Sequence, residues 1–324
     1  MHFAYPPRKS SNPPPFRPRT SALPTIRGKR LKTIVLIGLA FLTLLWLFQR
    51  GGRSRHAPPA YHKPSGNPPV VIVTVFNEGK YGKGYLDMVK ENRLKYAEKH
   101  AYLPSSPPDP GYGTFFVKSS DYDLRGAPVS WATLPAVRHA MTEFPDASYI
   151  WYLDQNAFIM NPQLKIEEHV MKPSRLEELM IKDHPVVPPD SIIKTFSHLK
   201  GHDVDFVLTQ DKDGLSSSSF VVKNGEWAKF FLETWFDPIY RTYNFQKAEQ
   251  HALEHIVQWH PTILAKLALV PQRILNSYSK EKGGQEYKEG DLAVRLYACG
   301  EAGEDTCETE SQRFAQWKAA YQDS

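Results

Sequence analysis

The sequence contains only two cysteines, Cys299 and Cys307, among 324 residues. That excludes a disulfide-stapled mini-fold and a four-cysteine zinc site. No Asp or Glu precedes Glu78, while positions 1–77 hold twelve Lys or Arg. The other 247 residues therefore carry 28 basic and 35 acidic side chains, a net of −7, and the overall charge of +5 belongs to a tail. An acidic folded part does not suit a phosphate-tracking surface, so no nucleic-acid partner is expected. The P-loop pattern and the Gly-x-Ser-x-Gly elbow are missing, which disfavours a P-loop ATPase and an α/β-hydrolase. No Asn-x-Ser/Thr sequon occurs, and no period of 20–50 residues repeats, so no solenoid is indicated. With 41% hydrophobic and 23% charged residues, global disorder, collagen and a polytopic membrane protein are excluded.

The tail is rich in Pro and Arg (Pro6-Pro7, Pro13-Pro14-Pro15 and Pro18, among Arg8, Lys9, Arg17 and Arg19) and cannot form a core. An uncharged run follows, from Thr33 to Phe48. Its 16 residues fall just short of the roughly 17–25 needed to cross a bilayer. Leu31 and snorkelling by Lys32 and Arg50 extend it. Eight Lys or Arg precede the run and only Arg50, Arg53 and Arg55 follow closely, so the charge bias places the N-terminus in the cytosol. A cleaved signal peptide is the competing reading, but the charged region is long and no clean small-x-small site follows. The expected division is a basic Pro-rich cytosolic tail (1–30), a single-pass type II signal anchor (31–49), a Pro/Gly stem (50–69), one large domain (70–300) and a C-terminal tail or surface helix (301–324).

The large domain opens on Val70-Val71-Ile72-Val73-Thr74-Val75-Phe76, a continuous β-branched run of the kind that forms a strand buried on both faces. Residues 84–100 read as a helix, Thr114-Phe115-Phe116-Val117 as a short strand, and 129–143 as a helix with Trp131, Leu134, Val137 and Met141 on one stripe. Tyr149-Ile150-Trp151-Tyr152-Leu153 is the next buried strand. This alternation predicts a doubly wound, Rossmann-like α/β fold. Such sheets bind ligands beyond the carboxyl ends of their strands.

Asp154 stands at such an end, with a second oxygen donor, Asn156, two residues on. An acid in that place suits a divalent cation bridging two phosphates; the alternative is an acid that merely caps a loop. Asp203 and Asp205 precede the apolar run Phe206-Val207-Leu208-Thr209, the wrong end of a strand for a ligand, and read as structural. Asp211, after that run, is better placed. His251 and His255 share a helix face, but His260 precedes Pro261, where the helix stops, and no HExxH pattern is present. These histidines read as surface or core residues rather than as zinc ligands.

Several segments, in order and with sensible spacing over about 70–300, resemble glycosyltransferase family 34. They are Asn92-Arg93-x-x-Tyr96-Ala97-x-x-His100-x-Tyr102, Trp131, Trp151-Tyr152-Leu153-Asp154 running to Met160-Asn161-Pro162, and Asp205-Phe206-x-x-Thr209-Gln210-Asp211. Ser219-Phe220-Val221-Val222-Lys223-Asn224-x-x-Trp227, Glu249-Gln250-x-Ala252-Leu253 and Gly290-Asp291 with Cys299 continue the match. Within the family the stretch from Tyr152 to Pro162 is most similar to the fungal α-1,6-mannosyltransferase subunits of the Golgi mannan polymerase. The resemblance implies a GT-A fold, a type II Golgi anchor with a lumenal domain, and retaining transfer from a nucleotide sugar with Mn²⁺. It further implies GDP-mannose as donor, a mannan or N-glycan acceptor and a hetero-oligomer with other mannosyltransferase subunits. A galactosyltransferase using UDP-galactose is the weaker alternative. Carried over residue by residue, it assigns Asp211, Glu249 and Gln250 to the sugar and acceptor side. Thr74, Asp154, Ser216, Ser218 and Arg295 go to the nucleotide sugar, and Asp154 with Asn156 to the metal.

Departures from the pattern fall at the metal. Asn156 replaces a second acid, and Arg295 stands where the family usually has a metal-binding His after Gly-Asp; an arginine has no lone pair to give. Ser218 stands where a glycine is usual, and Thr133 where many members have Lys. Two readings follow. Either the Arg295 guanidinium grips the diphosphate in place of a metal, or the site has decayed and the chain serves as a non-catalytic subunit. Cys299 and Cys307 are close enough in sequence to close a disulfide in an oxidising lumen.

Overall fold

The computed structural model describes residues 28–51, 62–100, 111–187, 191–299, 301 and 306–321. The Pro-rich tail before residue 28, positions 52–61 of the expected stem and residues 101–110 lie outside them. The chain divides into two compact units, residues 1–60 and 61–324.

In the first unit, helix α1 spans Gly28–Gly51, and its apolar side chains from Leu31 to Trp46 are exposed. The anchor expected over 31–49 falls on this helix. Among the described residues, however, no helix is long and apolar enough to cross a membrane.

The second unit is built on a six-stranded sheet and a small three-stranded one. Its elements are β1 (Val70–Phe76), α2 (Lys83–Lys99), β2 (Gly113–Lys118), α3 (Thr133–Glu143), β3 (Tyr149–Leu153), β4 (Ala157–Ile159), α4 (Pro173–Leu179), β5 (Phe206–Asp211), β6 (Gly214–Lys223), α5 (Glu226–Trp235), α6 (Pro238–Thr242), α7 (Ala248–Trp259), β7 (Leu267–Val270), β8 (Ser277–Tyr278) and β9 (Ala293–Arg295). The large sheet has the order β2-β1-β3-β6-β5-β7 and the small one β4-β9-β8. β1 pairs in parallel with both β2 and β3, as the sequence predicts. β6 runs antiparallel to both β3 and β5, so the Rossmann-like sheet is mixed rather than wholly parallel. The cause is local. β5 and β6 form a hairpin at Gly214, whose φ of +119° suits glycine. A Cβ there would stand 1.8 Å from Glu254 Oε1.

The alternation of β1 sends Val71, Val73 and Val75 into one core with α3, α5 and α7. Val70 and Ile72 enter a second core, with Tyr96 of α2 and Trp151 of β3. Hydrocarbon burial on both sheet faces is the main drive for this arrangement. The helix expected over 129–143 begins as a 3₁₀ turn, Val129–Ala132, and becomes α-helical only at Thr133. Pro135 then sits in the first turn, where its missing N–H is not needed. Cys299 and Cys307 form the expected disulfide, which joins the end of the domain to the helix Cys307–Gln312. The carboxyl ends of β1, β2, β3 and β5 all lie along one edge of the sheet. Asp205 lies at the opposite end of β5, bonded to Lys266 (3.1 Å) and Lys223 (3.8 Å), as its structural reading predicts.

Candidate functional site

Asp154 directly follows β3. Its N–H donates to Ser218 O (2.8 Å), and its Oδ1 accepts from the Asn156 N–H (2.8 Å). Its carbonyl accepts from Arg93 Nη2 (2.8 Å). Arg93 and Asn92 are both fully buried in the middle of α2. Asn92 grips the backbone of Ile159 with both ends of its amide, at 2.9 Å each. Together the two residues fix the turn between β3 and β4. Burial pulls the Arg93 pKa down to about 10, against the pull of Tyr85 and Asp154. Thr74 Oγ1 donates to Leu153 O (2.9 Å) and is fully buried. Its hydroxyl therefore ties β1 to β3 instead of facing a ligand, which corrects the nucleotide-sugar role expected for it.

Opposite Asp154, β6 breaks register. Leu208 pairs with Phe220 but the next residue, Thr209, pairs with Ser216, so Ser217, Ser218 and Ser219 bulge out of the ladder with β5, while Ser219 keeps its place opposite Leu153 of β3. Bulges re-aim side chains and recur beside active sites. Ser217 turns to α7 and donates to Glu249 Oε1 (3.0 Å). Ser216 and Ser218 turn to Asn276, whose Nδ2 donates to both hydroxyls, at 3.3 and 2.9 Å. Glu249 is only 8% exposed. Burial raises its pKa and Asp154 adds to the rise, while the hydroxyls of Ser130 and Ser217 oppose it.

A third arm comes from the small sheet. Tyr278 donates to Asp211 Oδ2 (2.6 Å) and accepts from Arg295 Nη1 (2.7 Å). Burial pushes the Tyr278 pKa up to about 12, against Arg295. Arg295 pairs with Ala157 in the β4–β9 register, which sets it beside the turn that follows Asp154. Burial alone would lower its pKa; Tyr278, Asp154 and Asp211 outweigh that and raise it.

The structure thus gathers Asp154, Asn156, Ser216, Ser218, Asp211, Glu249 and Arg295 at the carboxyl edge of the sheet. Gln250 sits beside them, with its Nε2 on Asp213 O (3.2 Å). Sequence reasoning gave no role to Asn276, Tyr278, Ser217 or Ser130. They lie outside any quoted motif, except that Ser217 lies in a serine run. Arg93 was visible in a motif, but nothing in the pattern showed that it braces Asp154. The Gly290-Asp291 motif is structural: Asp291 holds Arg273 with two bonds (3.0 and 2.7 Å) and also accepts from Ser277 (2.7 Å). His255 packs against Tyr240.

Four buried atoms of the cluster, Asn156 Oδ1, Glu249 Oε2, Asn276 Oδ1 and Arg295 Nε, have no hydrogen-bond partner within the protein. Folded proteins pair nearly all such groups. Four in one cluster concentrate unmet hydrogen-bonding capacity at this edge of the sheet. The Mn²⁺ implied by the resemblance is a poor fit. Asp154 is the only acid between β3 and β4, Asn156 offers a neutral oxygen, and Arg295 brings positive charge to the same turn. Among the described residues no group of three or more His, Cys, Asp or Glu is placed to hold a metal ion.

Two clefts flank the cluster. One, of about 440 Å³, lies over the ends of β1 and β2, lined by Phe76, Glu78, Leu86, Lys90 and Lys118, and shares no residue with the cluster. The other, of about 280 Å³, includes Arg125, Trp131, Arg241, Asn244 and Ala248, the last adjoining Glu249. Arg125, Asn244 and Ala248 all have positive φ (51°, 55° and 45°), a conformation that L-residues adopt at a cost.

Residues 66–306 match the model of the galactosyl transferase GMA12/MNN10 family. The chain is 35% identical over 219 residues to an "Uncharacterized alpha-1,2-galactosyltransferase" of Schizosaccharomyces pombe, covering 67% of this chain and 64% of that one. It is 29% identical over 279 residues to the "Probable alpha-1,6-mannosyltransferase MNN11" of Saccharomyces cerevisiae, covering 79% and 63%. With MNN10 of the same yeast, also named a "Probable alpha-1,6-mannosyltransferase", it shares 27% over 272 residues, covering 76% and 66%. The chain thus spans less than two thirds of the length of these curated relatives. A solved glycosyltransferase "involved in the glycosylation of the major capsid of PBCV-1" has the same fold, with a TM-score of 0.50 at 12% identity over 77% of this chain and all of that one. The chain belongs to the galactosyl transferase GMA12/MNN10 family of glycosyltransferases.

Proposed function

We propose that the chain transfers a hexose from a nucleotide diphosphate sugar to a glycan hydroxyl, with retention at the anomeric carbon. The observation that carries this is the ring of unpartnered polar atoms around Asp154 at the ligand-binding edge of the sheet. A sugar offers hydroxyls to match such atoms. Glu249, Asn276 and Ser217 line the sugar side, and Asp211 and Gln250 the acceptor side. The bond between the anomeric carbon and the phosphate oxygen breaks with its electron pair on the diphosphate. The acceptor oxygen bonds to that carbon, and its proton leaves with the diphosphate. Holding both substrates in line and stabilising the leaving charge supply the rate.

Our donor reading is GDP-mannose, with α-1,6 transfer to mannan or an N-glycan outer chain in company with other mannosyltransferase subunits. It is favoured by the longer matches to MNN11 and MNN10, 279 and 272 residues. UDP-galactose is the second reading, favoured by the 35% identity to the galactosyltransferase. We place the second unit in the Golgi lumen, where the Cys299–Cys307 disulfide suits an oxidising compartment. The test is transfer by the purified full chain from labelled GDP-mannose and UDP-galactose to an α-mannoside. Label in a product stable to phosphatase supports the reading. A natively folded chain that neither transfers nor hydrolyses either donor refutes it and leaves a non-catalytic subunit.

A further inference from the structure

A diphosphate enters a site that already holds Asp154, Asp211 and Glu249, so its charge must be met by a cation. Two guanidiniums lie close enough to feel Asp154. Arg93 is fully buried: both its Nη groups are committed, to Asp154 O, Asn92 Oδ1 and Val89 O, and its unpartnered Nε is sealed in the core with them. Arg295 is only half-buried. Its Nη1 is anchored on Tyr278, which is itself anchored on Asp211, and its buried Nε has no partner. Its guanidinium is therefore oriented from one side with donor capacity left over. The metal alternative lacks ligands, because Asn156 is uncharged and the described residues form no metal-holding group.

We propose that Arg295 grips the diphosphate of the donor, so that nucleotide binding needs no divalent cation. This rests on the glycosyl-transfer reading above. A planar fork of N–H donors matches two phosphate oxygens at once and stays charged at every relevant pH. The Tyr278–Asp211 chain fixes the plane of the fork, which makes Tyr278 a positioning residue.

The test measures binding of GDP and UDP to the purified full chain by calorimetry, in EDTA and in Mn²⁺, alongside Mn²⁺ binding followed by electron paramagnetic resonance. The expected result is binding of at least one nucleotide in EDTA, with Mn²⁺ changing its affinity less than about threefold and no tight Mn²⁺ site. Arg295→Gln should weaken that binding by about 10- to 100-fold, the range for a lost charge-assisted contact, with circular dichroism unchanged. Should that variant unfold, Tyr278→Phe supplies the check, with an expected severalfold loss that Mn²⁺ does not restore. Asn156→Asp combined with Arg295→His should create Mn²⁺ dependence. Nucleotide binding that appears only with Mn²⁺ overturns this proposal and leaves the glycosyl-transfer reading intact. Failure of a natively folded chain to bind either nucleotide under either condition overturns both.

Discussion

Glu249→Gln separates stability from function at this site. The carboxyl is 8% exposed, one oxygen is held by Ser217 and the other has no partner. Burial and the nearby Asp154 raise its pKa above the reference of 4.5. The sign follows from linkage. A carboxyl whose folded pKa is raised favours the fold while protonated. That contribution is present below about pH 4.5 and is lost as pH rises through the higher folded pKa. At pH 7.5 the unfolded chain holds this carboxylate freely solvated, so the buried, poorly paired site opposes folding there. Glutamine keeps the acceptor for Ser217 and removes the charge. The expected gain is about 1–2 kcal/mol, within the range for relieving an unsatisfied buried group. For a unit of this size that raises Tm by roughly 2–8 °C. Scanning calorimetry at pH 7.5 should show the gain, and a series down to pH 4.5 should show it shrink. Transfer should meanwhile fall by at least about 100-fold, as for other lost transition-state contacts. A lower Tm for the variant at pH 7.5, or a gain independent of pH, would refute the reasoning.

Asp154→Asn preserves the bond to the Asn156 N–H and deletes the charge. Transfer should drop by about 100-fold or more while circular dichroism stays native, and an unchanged rate would put the site elsewhere. Gly214→Ala forces a Cβ onto Glu254 Oε1 at positive φ. Urea unfolding should show a loss of about 2–4 kcal/mol, and a neutral result would mean that the β5–β6 turn relaxes freely. Protease treatment of sealed microsomes should clip an N-terminal tag and spare a C-terminal one, and the opposite pattern would reverse the proposed topology.

The elements legible in the sequence were those with a strong single period. β1 and β3 are nearly pure hydrocarbon, and both were found within a residue of their expected bounds. The place of Asp154 was legible because the apolar run stops there, and it does lie directly after β3. The antiparallel course of β6 was not legible, since Phe220, Val221 and Val222 are as apolar as a parallel strand. Its direction is set by the local hairpin at Gly214, which Glu254 supports by accepting from Leu215 N (3.0 Å). Thr74 was misplaced because a hydroxyl near a strand end reads alike whether it faces a ligand or the next strand. Asn276 and Tyr278 were invisible because their roles come from contacts with Ser216, Ser218 and Asp211, 60 or more residues away for Ser216 and Asp211.

The buried polar residues show why the site lies at this edge and at no other part of the sheet. Elsewhere both sheet faces are hydrocarbon, from Val71 to Trp235 on one side and from Val70 to Leu292 on the other. Asn92, Arg93, Ser216, Ser218, Glu249 and Asn276 are all buried, and they crowd the carboxyl end of β3 and the amino-terminal half of the antiparallel β6. Each would favour folding more as an apolar residue of the same size. Their concentration where β6 bulges breaks local consistency at one place, as functional sites do. Some of them hold others in place: Arg93 and Asn92 brace the Asp154 turn, and Asn276 braces the serine bulge. Arg93 Nε and Asn276 Oδ1 are also unpaired, but those side chains are otherwise spent on bracing; Glu249 and the half-buried Arg295 keep unmade bonds without holding the backbone. A binding site requires that division. Bracing residues should then be sensitive in stability assays and tolerant in ligand affinity per folded molecule. Glu249 and Arg295 should behave in the opposite way.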